Sequence, residues 1–166
     1  MTSLERRIRA GALIIENDAI LLVEFDDENG VHYNLPAGGV EPGETVAEAA
    51  RREAREEAGV EVEVGPVAFV YEYEPKRNEE LYGPRPSLSV TFACTLKPGS
   101  EPRLPDKPDE NQTGVKWVPL AALKQVVLYP EIADDILAYA KNSDIHAYRN
   151  YVEEKTIQEQ KQSAKA

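Results

Sequence analysis

Three glutamates at positions 53, 56 and 57 lie in a run without glycine or proline that extends from Val46 to Ala58. In a helix, the spacings i, i+3 and i+4 place Glu53, Glu56 and Glu57 within an arc of about 100°. Their like charges repel one another, and more strongly where solvent is partly excluded. A hard divalent cation such as Mg²⁺ offsets that repulsion, because it prefers oxygen ligands. The spacing therefore favours a metal site, and a solvated helix with arginine ion pairs is the alternative interpretation.

The helix that carries these glutamates has recognisable limits in the sequence. Thr45 followed three residues later by Glu48 is the signature of a capping box, and Gly59 stands where a helix end favours a left-handed residue. A glycine-rich stretch at 38–43 precedes the helix. Because glycine permits close backbone approaches, this turn should bring its carbonyls near the same place as the carboxylates. Turn and helix together predict one oxygen-rich site.

The segment from Gly38 to Val60 also matches a known pattern over 23 residues. The pattern is a glycine, five residues, a glutamate, seven residues and then Arg-Glu-aliphatic-any-Glu-Glu-any-Gly-aliphatic. Here the glycine is Gly38, the first glutamate is Glu44, and the run from Arg52 to Val60 supplies the rest. Ala54 departs mildly, since a bulkier aliphatic residue is usual there. So many fixed positions are specific, and the chain closely resembles the Nudix hydrolase family over roughly residues 8–125.

The resemblance implies an α/β fold, an α/β/α sandwich with a mixed β-sheet, and a hydrolase that cleaves a diphosphate linkage in a nucleoside diphosphate derivative or related nucleotide. Its cofactor would be Mg²⁺ or Mn²⁺. The site residues that it implies are Gly38, Glu53, Glu56 and Glu57 as metal ligands, and Glu44 and Arg52 as the partners that orient them. Bound cations would neutralise phosphate charge and lower the pKa of water, and Glu53 or Glu56 would accept the proton.

Two questions stay open within this resemblance. A Nudix-like binding or sensor domain that retains the fold without the chemistry is the alternative function, although intact Glu53, Glu56 and Glu57 favour the enzyme. The substrate is not readable, and nucleoside triphosphates, dinucleoside polyphosphates and RNA 5′ ends all remain candidates. The turn at 35–39 resembles that of ADP-ribose pyrophosphatases, which favours a sugar-linked nucleoside diphosphate.

Residues outside the motif supply further candidates. Glu110, with Asp109 beside it, lies in a loop that the resemblance places over the site, and is a candidate for a catalytic or metal role. A solvated loop acid is the alternative. The loop at 74–87 carries cations and a tyrosine that could hold phosphate or stack on a base. These substrate-binding candidates are Lys76, Arg77, Tyr82 and Arg85.

The remaining pattern predicts strands interleaved with a few helices, in one domain spanning 1–166 with a core at about 8–140. Strands are predicted at 9–15, 19–25, 31–35, 60–64, 67–73, 88–96 and 114–118, with the first two forming a hairpin. A break is predicted at 36–39, and loops at 74–87 and 97–112. One helix is predicted to begin at Pro130 and another to span 144–158, before a polar, frayed tail at 158–166.

Charge and composition limit the partners. Thirty acidic and nineteen basic residues give a formal net charge of −11, which repels nucleic-acid polymers and anionic membranes. A small nucleotide-like substrate, bound through cations, is the expected partner, and a homodimer is left open. The single cysteine, Cys94, excludes an internal disulfide, and no apolar run is long enough for a signal peptide or a membrane span. These features predict a cytoplasmic protein.

Overall fold

The computed structural model describes residues 5–141, 151–153, 157–163 and 165. Within these residues, eight strands and four helices follow one another. The strands are β1 (Arg7–Glu16), β2 (Ala19–Asp27), β3 (Gly30–Asn34), β4 (Ala37–Gly39), β5 (Val62–Tyr73), β6 (Ser87–Leu96), β7 (Gln112–Pro119) and β8 (Tyr151–Glu153). The helices are α1 (Val46–Ala58), α2 (Pro75–Tyr82), α3 (Ala133–Lys141) and α4 (Ile157–Ser163), and a 3₁₀ helix spans Leu120–Gln125.

The strands form one mixed sheet with β1 near its middle. The order is β3-β2-β1-β6-β5-β8, with β4 paired to β1 and β7 paired to β2. β1 runs parallel to β6 and antiparallel to β4. The predicted hairpin between β1 and β2 is confirmed, with left-handed Asn17 and Asp18 (φ 51° and 59°) at its turn. Two successive positive φ angles match the twist that a tight hairpin requires.

Side chains of β1 alternate between two apolar layers. Leu13 belongs to a core that includes Phe69 together with Leu123 of the 3₁₀ helix and Ile136 of α3. Ala12 and its neighbour Ile14 belong to a second core formed with α1. Since successive strand residues point to opposite faces, helices cover both faces of the sheet. The predicted α/β/α arrangement around a mixed sheet is confirmed.

Helix α1 has the limits that the sequence predicts. Thr45 Oγ1 accepts from Glu48 N at 3.1 Å, and Thr45 N donates to Glu48 Oε2 at 2.7 Å, which completes the capping box. Gly59 ends the helix at φ 67°. The buried residues Ala50 and Ala54 are small, so the helix axis can lie close to the sheet.

Several predicted segments differ in the structure. The predicted break at 36–39 contains β4, because Ala37–Gly39 pair with β1. The strands predicted at 60–64 and 67–73 are one strand, β5, whose register with β6 is irregular between Val64 and Phe69. The 74–87 loop contains α2, and the helix expected to begin at Pro130 begins at Ala133. The 97–112 loop is confirmed as irregular up to β7.

The C-terminal prediction of a helix at 144–158 is wrong at 151–153, whereas 157 and 158 are helical as the first residues of α4. Residues 151–153 form β8, which pairs in parallel with Val70–Glu72 of β5. Because this strand is formed by pairing with a distant part of the chain, the local sequence shows no periodic pattern of apolar residues that would predict it. Residues 142–150 and 154–156 of the predicted helix lie outside the described residues. The predicted frayed tail contains α4, Ile157–Ser163.

Within the described residues, no helix is both long and apolar enough to cross a membrane.

Candidate active site

The glycine turn and helix α1 meet beside β1. Gly38 pairs with Ala10 of β1, and α1 packs against both β1 and β4. A Cβ at Gly38 would collide with the carboxylate of Glu53. Only glycine therefore lets this backbone approach the carboxylate, which is the close contact that the sequence predicts.

Arg52 connects the acidic side chains around this contact. Its Nη1 donates to Glu53 Oε1 at 2.8 Å and to Glu56 Oε2 at 3.1 Å. Its Nη2 donates to Glu44 Oε1 at 2.7 Å and to the carbonyl of Gly39 at 2.9 Å, and Nε donates to Glu44 Oε2 at 3.1 Å. One guanidinium thus fixes the turn, the helix and the intervening loop in a single arrangement.

Glu44 is itself held from two sides. Besides Arg52, its Oε1 accepts from the backbone N of Glu41 at 2.9 Å. The hydrogen bonds from Arg52 and then from this backbone group lower the pKa of Glu44. Glu44 is therefore a charged anchor that orients Arg52.

Glu53 and Glu57 lie together at the buried side of the site, with only 8% and 7% of their surface exposed. Burial, followed by the hydrogen bond with Glu53 and the charge of Glu53, raises the pKa of Glu57. Asp109 adds to this effect and Arg9 opposes it. Two buried carboxylates that repel each other form a site at which a divalent cation would offset the negative charge. The donor set therefore fits Mg²⁺ or Mn²⁺.

Glu56 differs from these two glutamates because 57% of its side chain is exposed and it is bound by Arg52. In the described part of the chain, no three acidic, histidine or cysteine side chains already surround one point as metal ligands. Glu53 and Glu56 instead share Nη1 of Arg52. A cation would have to compete with this guanidinium for both carboxylates.

A buried glutamine attaches the 97–112 loop to the end of α1. Gln112 Nε2 donates to the carbonyl of Glu57 at 2.7 Å, and Gln112 Oε1 accepts from Asp109 N at 3.2 Å. Sequence analysis missed Gln112, whose only signal is a polar residue at the start of a strand. Its contacts bring Asp109 to the site, whereas Glu110 is exposed and is not among the residues that line it.

The acidic side chains open into a cavity of about 580 Å³, here called the carboxylate cavity. Its acidic wall contains Glu53, Glu56, Glu57 and Asp109, besides Glu41. Four arginines line the same cavity: Arg7, Arg9, Arg52 and Arg85. The cavity thus combines carboxylates that suit a cation with guanidiniums that suit phosphate.

A smaller cavity of about 190 Å³, here called the tyrosine cavity, adjoins it. The two share Arg7, Arg9 and Arg85. The remaining wall is formed by Asn34, Ser87, Pro130 and four tyrosines, Tyr71, Tyr73, Tyr82 and Tyr129. Tyrosine is therefore the most frequent residue type in the lining of this cavity, followed by arginine.

The predicted substrate-binding residues divide between two places. Tyr82 lines the tyrosine cavity and Arg85 lines both cavities, whereas Lys76 and Arg77 are exposed on α2 and line neither. Arg7 and Arg9 of β1 were not predicted as site residues. Their i, i+2 spacing, which places two cations on one face of a strand, could have identified them.

Comparison with known proteins is consistent with this arrangement. A family model described as NUDIX domain matches residues 5–139. A nucleoside triphosphatase NudI of Escherichia coli O17:K52:H18 (strain UMN026 / ExPEC) is 40% identical over 93 residues, which cover 49% of this chain and 63% of that relative. The chain thus spans less than two thirds of the length of this curated relative.

Solved structures share the fold. An ADP-ribose pyrophosphatase of Streptococcus suis 89-1591 has a TM-score of 0.62 at 23% identity, covering 90% of this chain and 99% of that chain. A Nudix hydrolase from Nitrosomonas europaea has a TM-score of 0.66 at 20% identity, covering 88% and 93%. These likenesses show the fold, and the family model covers most of the sequence. The chain therefore belongs to the Nudix hydrolase family.

Proposed function

We propose that the protein is a divalent-metal-dependent hydrolase that cleaves a diphosphate linkage in a nucleotide. The observation that carries this proposal is the burial of Glu57 beside Glu53, whose carboxylate lies against Gly38, in the lining of a cavity that also contains arginines. Relatives named nucleoside triphosphatase and ADP-ribose pyrophosphatase support the same class of substrate.

The cation would be held by the carboxylates of Glu53, Glu56 and Glu57 with the carbonyl of Gly38. When bound, Mg²⁺ or Mn²⁺ would neutralise charge on the phosphates and make water at the site more acidic. Arg52 would hold the carboxylates of Glu53 and Glu56 in place through hydrogen bonds. Glu44, in the loop before α1, would in turn hold Arg52. Removal of such orienting partners typically lowers metal affinity or activity about 10-fold to 100-fold.

The attacking water also needs a base. Glu53 Oε1 and Oε2 are close to Gly38 and are the first candidates, with Glu56 as the exposed alternative. Outside α1, the lining of the cavity by Asp109 supports Asp109 over Glu110 as the additional carboxylate. The charge of Asp109 acts on Glu57, which supports a role in the same electrostatic network.

The test is turnover of a nucleotide panel in Mg²⁺, with release of phosphate, diphosphate or nucleoside monophosphate as the readout. The panel contains nucleoside triphosphates, sugar-linked nucleoside diphosphates and dinucleoside polyphosphates. We expect Glu57→Gln to lower kcat by ~10²-fold or more on the best substrate, because it removes a preorganised charge from the site. Glu63→Gln is the matched control, since Glu63 is exposed on β5.

Metal binding without turnover of any panel member would contradict the hydrolase and favour a binding or sensor domain. Equal turnover by folded Glu57→Gln and Glu63→Gln proteins would show that α1 does not form the metal site.

A further inference from the structure

The side chain of Gln112 links the 97–112 loop to helix α1 through both ends of its amide group. Only 7% of this residue's surface is exposed. Nε2 donates to the carbonyl of Glu57 at 2.7 Å, and Oε1 accepts from the backbone N of Asp109 at 3.2 Å. Because a carbonyl only accepts and a backbone N–H only donates, these partners fix the orientation of the amide. Gln112 thus contacts the backbones of two residues whose side chains line the carboxylate cavity.

The loop is attached to α1 at a second point. The last carbonyls of a helix have no partner inside the helix, and here the loop supplies two of the missing donors, the amide of Gln112 and the backbone N of Arg103. The backbone N of Arg103 donates to the carbonyl of Ala58 at 3.0 Å. A Cβ at Gly59 would lie 2.8 Å from the carbonyl oxygen of Arg103, so glycine permits the loop to lie against the helix end. The segment at 104–111 is therefore held on both sides.

A turn sets the place of Asp109 within this segment. The backbone N of Gln112 donates to the carbonyl of Asp109 at 3.0 Å, and the intervening Asn111 is left-handed with φ 66°. The carbonyl of Asn111 accepts from the backbone N of Asp26 in β2 at 2.9 Å, which ties the turn to the sheet. Asp109 begins the turn and lines the carboxylate cavity, whereas Glu110 occupies the second position and does not. Backbone and side chain of Gln112 therefore both hold Asp109.

A stabilising cap of α1 is the simpler role for this amide. A cap needs only the bond from Nε2 to the carbonyl of Glu57, whereas Oε1 makes a second bond, to the backbone of Asp109. The negative charge of Asp109 acts on Glu57, so the separation of the two affects how strongly the cavity attracts a cation. One amide group thereby sets the spacing of two carboxylates in the same cavity.

We infer that Gln112 is a positioning residue, which holds the Asp109 carboxylate close to Glu57 so that both act on the cation and on the attacking water. This inference rests on the proposed function, since it concerns the same site. It goes beyond the assignment of Asp109, because it makes the action of that carboxylate depend on the link between the loop and α1. Gln112 does not line the cavity, so it acts through these two residues.

A double-mutant cycle distinguishes positioning from stabilisation alone. Gln112→Met removes both hydrogen bonds of the side chain and retains an unbranched, flexible side chain. It is made in the wild-type protein and in Asp109→Asn. Calorimetric titration with Mn²⁺ alone gives the metal affinity, and steady-state kinetics on the best panel substrate give kcat and KM. Gln125→Met is the matched control, since Gln125 is exposed at the end of the 3₁₀ helix.

We expect Gln112→Met to weaken Mn²⁺ binding and to lower kcat, each by about tenfold, with a smaller change in KM. In the Asp109→Asn protein, the same substitution should change both quantities by less than about twofold, because the carboxylate that Gln112 positions is absent. The melting temperature should fall equally in both backgrounds, since the bond to the carbonyl of Glu57 is lost in each. Gln125→Met should leave Mn²⁺ affinity, kcat and KM unchanged.

Equal fold-losses in the two backgrounds would overturn the inference and leave Gln112 as a cap of α1. Unchanged Mn²⁺ affinity and kcat in folded Gln112→Met would overturn it as well, with the proposed hydrolase intact. If Gln112→Met does not fold, Gln112→Asn takes its place with the same expected pattern, because a side chain one methylene shorter cannot reach both partners. Coupling in Mn²⁺ affinity without turnover of any nucleotide would support the inference and contradict the hydrolase.

Discussion

The carboxylate cavity and the tyrosine cavity share three arginines but differ in nearly every other property. The first is large and acidic, and most of its acidic residues belong to one helix. The second is small and rich in tyrosine, and its walls come from β1, β3, β5, α2, the start of β6 and the segment around Tyr129. Under the proposed function, the acidic cavity would carry out the hydrolysis, and the neighbouring cavity would contact another part of the same ligand.

The largest effect on kcat is expected from substitutions in the 97–112 loop, which test the carboxylate cavity. Asp109→Asn should lower kcat by ~10²-fold if Asp109 orients or deprotonates the attacking water. Glu110→Gln should have little effect, because Glu110 does not line the cavity. Steady-state kinetics on the best panel substrate measure both. A silent Asp109 change with a damaging Glu110 change would reverse this assignment and restore the prediction made from sequence.

Arg52→Lys should have the next largest effect, a fall in kcat of about 10-fold to 100-fold. Lysine keeps the positive charge but cannot reproduce the forked contacts of Arg52 with Glu44 and Glu53. Steady-state kinetics on the best panel substrate measure the fall. An unchanged kcat in the folded variant would contradict the role of Arg52 in holding these glutamates.

The smallest expected effect is the increase in melting temperature when a divalent metal binds. Saturating Mg²⁺ should raise the melting temperature by roughly 5 to 10 °C when its concentration is about 100-fold above Kd, since the ion binds only the folded arrangement. Differential scanning calorimetry measures the shift. Glu57→Gln should abolish most of it and Glu63→Gln should not. An equal shift in both variants would place the metal elsewhere.

The two cavities also differ in how far the sequence could predict them. Thr45, Glu48 and Gly59 define α1 locally, and a fixed spacing joins Gly38 to the glutamates, so this region was predicted in detail. Asn34, Arg9 and the tyrosines meet only through pairing of distant strands. β8 and α2 were missed for related reasons, because pairing with β5 and packing beside the sheet override weak local preferences.

Asp109 and Glu110 illustrate the same limit at the scale of one residue. Both are acidic, exposed neighbours in an irregular loop, and no spacing rule distinguishes them. The contact of Gln112 with the carbonyl of Glu57 sets which of them lies beside the cavity. That contact joins positions 55 residues apart in the chain, and so it was accessible only from the folded structure.

Gly38 and Gly39 offer the most direct test of whether the glutamates and the arginines of the site have separate roles. A Cβ at Gly38 would displace the carboxylate of Glu53, whereas a Cβ at Gly39 would lie 2.5 Å from Nη2 of Arg7 and displace that guanidinium. Gly38→Ala should therefore lower kcat by ~10²-fold, and Gly39→Ala should raise KM about tenfold with kcat near the wild-type value. Steady-state kinetics of the two variants on one nucleotide substrate give the answer. Equal losses of kcat in both, or the reverse pattern, would contradict separate roles for the Glu53 carboxylate and the Arg7 guanidinium.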